Sequence, residues 1–444
     1  MRRAARLGSS DAPSDFPPGQ ASHWVVRLAP KVGRVLLAAG ALLLVRDAGS
    51  APSGAAGFEA FEKDLDRLAA SIPLPGYSAA IVRDGEIVWT HAWGQADREA
   101  RIAATPNTPY RLASVSKPLA AVLLMQLVEE KKVVLDDPMS KFRIHAWFEP
   151  GGGSWAHYPA RYAEKPITVR HVLTHTSESD PPGEAYRYSG NIFADLTFVI
   201  EDVTAESYPK ALQKRVLDRA GMTRSLPGQL VPWKTEVSRA LARPYRLVEG
   251  QLEPGTYPGF GLEPDRDVTP WNLEPAYRVP AATVAARRAI LGEAYTPLHS
   301  SQTAAGAIST VVDLARFDIA LDAGRLVSAA SREAMFAASR NKEGKKLPYG
   351  LGWFVQDEPA PKIVWHYGWF PPTVSALYVK VPERKLTFVM LANSDGISAN
   401  MPWTAEGVRG SPIARLFLER FVTSAAAAPR GPASAEGWAP EAEW

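Results

Sequence analysis

The sequence predicts an α+β fold, with one antiparallel sheet built from both ends of the chain and a mainly helical lobe inserted between. Three observations carry this. β-rich runs occupy 77–94 and return at 362–368, 374–381 and 385–393, while helical patterning dominates 115–130, 167–175, 194–220 and 310–323. The two ends are each too short of strands to close a core alone, so pairing them is the economical solution. The body is expected over 58–423, with the helical lobe at about 110–325 and a cleft between the lobes as the natural place for a site.

In chain order, Phe58, Phe61, Leu65, Leu68 and Ala69 recur at helical spacing, which predicts a helix. Two β-rich runs then flank Asp84-Gly85, a dipeptide suited to the φ > 0 positions of a type I′ turn, so 77–94 is a hairpin. The next helix is the most apolar in the chain, running from Leu119 through Leu127. Between the later helices lie long connections at 142–165 and 226–300, and loops of that size shape a site or carry their own structure. The tail, 424–444, is low-complexity.

Ahead of the body, residues 1–57 form a leader and linker. Seven cations stand against Asp11 and Asp15 in 1–46, and an apolar run, Val35–Val45, is followed by the small residues Ala48, Ser50 and Ala51. This is the layout of a secretory signal or, if uncleaved, of a membrane tether. Eleven residues fall short of the roughly 20 that span a bilayer. The expected location is therefore exported, periplasmic or extracellular. With +5 in the leader, the overall +3 leaves −2 for the remainder, which excludes a basic nucleic-acid-binding body. The chain has no cysteine, so disulfides, thiolate metal sites and a lipidated cysteine are excluded.

Ser-x-x-Lys occurs three times: Ser114–Lys117, Ser207–Lys210 and Ser339–Lys342. The third lies in a charge run and the second straddles Pro209, and both read as chance. The first opens the apolar helix. Residues i and i+3 share a helix face, so the amine can reach the hydroxyl. Partial burial lowers a lysine pKa, as a base requires, and a helix N-terminus favours negative charge near Ser114. His171 and His175, at i, i+4, lack the glutamate of HExxH, and no metal is expected there. GxSxG is absent, against an α/β-hydrolase elbow.

The stretch TPYRLASVSKPLAAVLLMQLVEEKKVVLDDPMSKF resembles the nucleophile segment of the serine β-lactamase and penicillin-binding superfamily, in its class C-like branch of β-lactamases, DD-peptidases and esterases. ITVRHVLTHTSE, QTAAGAISTVVDLARF, YGLGWFV and LYVKVPERKLTFVMLANSDG resemble later blocks in the same order, over about 60–420. The resemblance implies an exported serine hydrolase without cofactor, acting on a small-molecule or peptide-like acyl substrate (an ester, amide or β-lactam). The alternative is a weak or inactive relative that binds a cell-wall fragment.

By the same resemblance, Ser114 is the acylated nucleophile, Lys117 its proton acceptor and Tyr188 the proton shuttle to the leaving group. His366-Tyr367-Gly368 stands for the third motif, and the backbone N–H groups of Ser114 and Trp369 for the oxyanion hole. Two departures matter. Gly190 stands where the second motif usually has asparagine, with Asn191 one residue late, and WFPPT follows Gly368. A neutral His366 supplies no permanent charge, so Tyr188 is expected to work with Lys117 rather than as a standing phenolate. That favours ester or amide hydrolysis over an efficient β-lactamase.

Overall fold

The computed structural model describes residues 58–72, 74–142, 162, 164–228, 235–255, 285, 289, 302–399 and 407–423. The leader, the tail, most of 142–165 and much of 226–300 lie outside the described residues.

Helix α1 (Phe58–Ser71) leads into strands β1 (Gly76–Arg83) and β2 (Glu86–Asp97). The turn between them has φ 51° at Asp84 and 82° at Gly85, the left-handed pair that an Asp-Gly dipeptide accepts at low cost. A short strand β3 (Ile102–Ala103) follows, then helix α2 (Ser116–Glu129). The lobe contains α3 (Val169–Leu173), α4 (Gly190–Ala194), α5 (Leu196–Thr204) and α6 (Val311–Asp322). The chain then returns through β4 (Phe354–Gln356), β5 (Ile363–Phe370), β6 (Val374–Val381) and β7 (Leu386–Ala392) to helix α7 (Pro412–Leu418).

The sheet has seven strands in the order β3-β2-β1-β7-β6-β5-β4. The two ends of the chain meet at its centre, where β1 pairs antiparallel with β7 from Tyr77↔Ala392 to Arg83↔Leu386. The expected α+β architecture is therefore the observed one. One face of the sheet, through Ala80, Val82, Val364, Ala376 and Val389, joins the α2 core. The other, through Ile81, Leu377, Val379, Phe388 and Met390, packs with Phe61 and Leu65 of α1 and Phe417 of α7. Alternate residues of each strand thus feed two cores.

Helix α2 is buried from Ser116 through Leu127. A helix apolar all round belongs in the middle of a domain, and this one lies under the sheet with helices on its other sides. Among the described residues, no helix is long and apolar enough to cross a membrane.

One buried ion cluster ties α6 to the sheet. Lys380, 1% exposed, donates to Asp318 Oδ1 at 2.8 Å, Asp322 Oδ2 at 2.7 Å and Thr387 Oγ1 at 3.2 Å. Tyr378 donates to Asp318 as well. Burial alone would lower the Lys380 pKa, but the two carboxylates outweigh it and raise it. Replacing Lys380 with Ala leaves Asp318 buried without its cation. Urea melts should show a loss of roughly 3 kcal/mol or more; a loss below 1 kcal/mol would contradict this account.

Candidate active site

Ser114 lies in a single 3₁₀ turn, Ala113–Val115, directly ahead of α2. Ala113 has φ 43°, a left-handed conformation that costs a non-glycine residue about 1–3 kcal/mol when tertiary contacts impose it. Those contacts are visible. The Leu112 N–H donates to Ala307 O at 3.0 Å, and the Val115 N–H to Leu112 O at 3.0 Å. The Ala307 N–H in turn donates to Ser116 Oγ at 3.2 Å. The turn is strapped to the 302–307 loop on both sides of the serine. No side-chain cap opens α2, so the Ser114 hydroxyl is not consumed as a helix cap.

Strand β5 presses on the same turn. A Cβ built on Gly368 would lie 2.0 Å from Leu112 O, so only glycine lets the strand run this close to the backbone of the Ser114 turn. Trp369 follows on the same strand, opposite Ser375. Behind the strand, the Ser398 hydroxyl donates to Gly368 O at 2.8 Å. Asp395 lies beside the Trp369 indole, and burial raises its pKa although the indole opposes the shift.

Lys117 is 1% exposed. Its Nζ donates to Ser114 Oγ at 2.9 Å and to Ala304 O at 3.1 Å. Burial lowers its pKa from 10.5 to about 7. The contrast with Lys380 explains why. Both amines are buried, but Lys380 has two carboxylates, while among the described residues no acid pairs with Lys117. Beyond those two oxygens it meets ring faces, Tyr188 at 4.8 Å and Phe193 at 5.5 Å from Nζ. Such contacts favour a cation by only about 0.5–2 kcal/mol. Neutral, the amine keeps an N–H for Ala304 O and frees its lone pair for the Ser114 proton.

Tyr188 is raised in pKa by burial, an effect that Ser114 offsets only in part. The phenol therefore stays protonated, and its hydroxyl makes no well-aligned hydrogen bond among the described residues. It is a donor held in reserve beside Ser114. The ring sits in an aromatic box with His175 at 4.3 Å and Phe354 and Tyr367 at about 6 Å, centroid to centroid.

His366, expected at the reacting end of the third motif, is fully buried. Its Nε2 and the Tyr349 hydroxyl are 2.8 Å apart, and its Nδ1 lies 2.7 Å from Tyr367 O. A carbonyl can only accept, which assigns the proton to Nδ1 and leaves Nε2 to accept from the phenol. Burial, with Lys117 second, pushes its pKa well below the imidazole range. His366 is thus a neutral wall of the site with both nitrogens engaged.

Asn191, expected to meet substrate, is exposed at the second residue of α4. No contact joins it to Ser114, Lys117 or Tyr188 among the described residues. One residue along a helix turns a side chain by about 100°, so the offset from Gly190 carries the amide away. A Cβ on Gly190 would have nothing within 4 Å among the described residues, so the position two after Tyr188 is open to them. His171 and His175 do not act together either. His171 Nδ1 accepts from the Thr168 N–H in a capping box, and His175 packs on Tyr188. Sequence reasoning missed the Ala304 carbonyl and Tyr349. The first has no side-chain signal, and the second lies 17 residues from its histidine.

Fold and site together define an α+β protein with a buried Ser-x-x-Lys pair at the head of its central helix. The family model described as Beta-lactamase matches residues 61–406, and the chain belongs to that family. Penicillin-binding protein 4* of Bacillus subtilis (strain 168) is 23% identical over 349 residues, 70% of this chain and 66% of that one. Esterase EstB of Burkholderia gladioli is 36% identical over 104 residues, 23% of this chain and 24% of the esterase. The chain therefore spans less than two thirds of either relative. A structure of D-amino acid amidase from Ochrobactrum anthropi SV3, complexed with L-phenylalanine amide, superposes with a TM-score of 0.55. It is 19% identical, covers 83% of this chain and is itself covered over 99%, and it shares the fold.

Proposed function

We propose that this protein is an exported serine hydrolase that forms an acyl-enzyme on Ser114 and hydrolyses an ester or amide. The observation that carries this reading is a buried amine, with a pKa of about 7, 2.9 Å from the Ser114 hydroxyl. Neutral Lys117 takes the Ser114 proton as Oγ attacks the acyl carbonyl. The backbone N–H groups of Ser114 and Trp369 receive the oxyanion. As the tetrahedral species collapses, Tyr188 gives its proton to the leaving group and is reprotonated from Lys117. Water then attacks the acyl-enzyme, its proton passing back to the same pair, and frees Ser114.

The substrate class is argued from charge. A neutral, fully occupied His366 offers no anchor for a substrate carboxylate. That favours esters and amides without a required carboxylate over β-lactams. The family's penicillin-binding and esterase relatives are compatible with this range. Export rests on the basic-then-apolar leader. A second reading, a relative that binds an acyl compound without turning it over, is favoured by the open position at Gly190.

The test separates them. The soluble body is incubated with p-nitrophenyl butyrate, a chromogenic β-lactam and a fluorophosphonate, and adducts are located by mass spectrometry. Ester turnover and a phosphonyl adduct on Ser114 are expected. Ser114→Ala should lose both, while Ser207→Ala and Ser339→Ala keep them. Absence of turnover and of label would sink the enzyme reading.

The pH profile is a further check. Lys117 must be neutral, so kcat/KM should fall about tenfold per pH unit below a limb centred near 7. A limb at carboxylate pH would assign the base elsewhere.

A further inference from the structure

Among the described residues, the Tyr188 hydroxyl has only its poorly aligned contact with Ser114, so something else must hold the ring in place. His175 is the residue positioned to do so. Its backbone carbonyl accepts from the Arg187 N–H at 2.7 Å. Its ring Nδ1 accepts from the Ser189 N–H at 3.1 Å. Its imidazole stacks on the Tyr188 ring at 4.3 Å and 29°. The residue before the tyrosine, the residue after it and its ring are all gripped by one side chain and one carbonyl. His175 adopts φ 53° at this point, a left-handed conformation found more often for His, Asn and Asp than for most side chains.

The choice of residue is informative. A donated N–H at Nδ1 fixes the imidazole as the Nε2–H tautomer. That Nε2 is buried with no partner among the described residues, and the residue is 2% exposed. Phenylalanine would give the stack without a stranded N–H, and asparagine would give the acceptor in the same backbone conformation. Histidine alone gives both. Around it stand Tyr186, Phe193 and Tyr349, with Lys117 and His366 as electrostatic neighbours. No carboxylate among them would favour a protonated imidazole, so the clamp persists while Lys117 changes charge.

We propose that His175 is a positioning residue, clamping Tyr188 where its hydroxyl can hand a proton to the leaving group. The inference rests on the hydrolase reading above and deepens it. Its signature is dependence on the leaving group. Nitrophenolate departs without a proton, whereas ethoxide needs one, so loss of a correctly placed Tyr188 penalises the second far more.

The experiment compares kcat/KM for p-nitrophenyl butyrate and ethyl butyrate, which share an acyl group and differ only in acylation. The variants are His175→Asn (acceptor kept), His175→Phe (ring kept) and His175→Ala. In His175→Ala the ratio of the two values should widen about 100-fold, and in each single-feature variant about tenfold. Ratios within twofold of wild type, or equal losses on both esters with a lowered Tm, would overturn the proposal. Fluorophosphonate labelling of wild-type Ser114 checks the hydrolase reading separately. If wild type neither labels nor turns over, crystal structures decide: an unmoved Tyr188 ring in His175→Ala overturns the clamp, and a displaced ring supports it.

Discussion

Lys117→Met should abolish turnover and at the same time make the protein more stable. Removal of the base is expected to lower kcat/KM by roughly 10³-fold or more. The stability gain follows from the wild-type amine, which is held near pKa 7 by burial and titrates near 10.5 in the unfolded chain. Below pH 7 both states are protonated, and the folded protein bears the full cost of a buried cation. Each pH unit of displacement is worth about 1.4 kcal/mol. As pH rises from 7 to 10.5, the folded amine is already neutral while the unfolded one sheds its proton, and the penalty shrinks to nothing. Methionine fills a similar volume without charge. Its advantage should therefore be on the order of 3–5 kcal/mol at pH 6 and much smaller at pH 10. Urea melts at the two pH values read this directly. A methionine variant no more stable than wild type at pH 6 would refute the buried-amine account.

Gly368→Ala should damage both fold and chemistry. The added Cβ would sit 2.0 Å from Leu112 O and 3.1 Å from Ala376 Cβ, and the first contact is backbone with nowhere to turn. Strand β5 must then withdraw from the turn that carries Ser114. Overpacking of this kind costs about 3 kcal/mol. A displacement near 1 Å between Trp369 and Ser114 can cost ~100-fold in rate. Gly190→Ala is the matched control, with nothing within 4 Å of the new atom, and its stability should stay within about 0.5 kcal/mol of wild type. Equal melting curves for wild type and Gly368→Ala would show that the strand has room to move.

The parts of this molecule legible in the sequence are those fixed by local chemistry. Asp84-Gly85 announces its hairpin, and the apolar run after Lys117 announces a buried helix. The three long terminal strands are visible by their β-branched and aromatic content. The span 194–220 reads as one helix but is broken at Asp195 and again at Ala205, which has φ 54°. Ala205 gives no glycine signal. Across the break the Glu201 carboxylate accepts from the Tyr208 N–H at 2.9 Å, a side-chain cap that helical periodicity does not reveal. Strand β4, three residues long, is too short to show a period. The hairpin Tyr245–Val248 with Gln251–Pro254 lay hidden in a connection read as loop.

In the site, spacing and context were enough to single out Ser114 and Lys117 from two decoys. The role expected of His366 depended on what its nitrogens touch, and no local spacing links it to Tyr349, 17 residues earlier. Asn191 was misplaced by one residue of helix phase. His175 was visible only as a member of a histidine pair, because its work is done on the backbone of 187 and 189.

The pairing of β1 with β7 has a consequence for the order in which the chain is made. When β1 leaves the ribosome, its partner at Leu386–Ala392 lies about 300 residues away. At 5–20 residues per second that interval is roughly 15–60 s. Throughout it, the β1–β2 hairpin carries an open edge of eight residues, the kind of edge that recruits other chains. A synthesis product that stops before residue 386 has no sheet centre, however complete its buried helix α2. The enzyme is assembled last at the strand that was first to emerge.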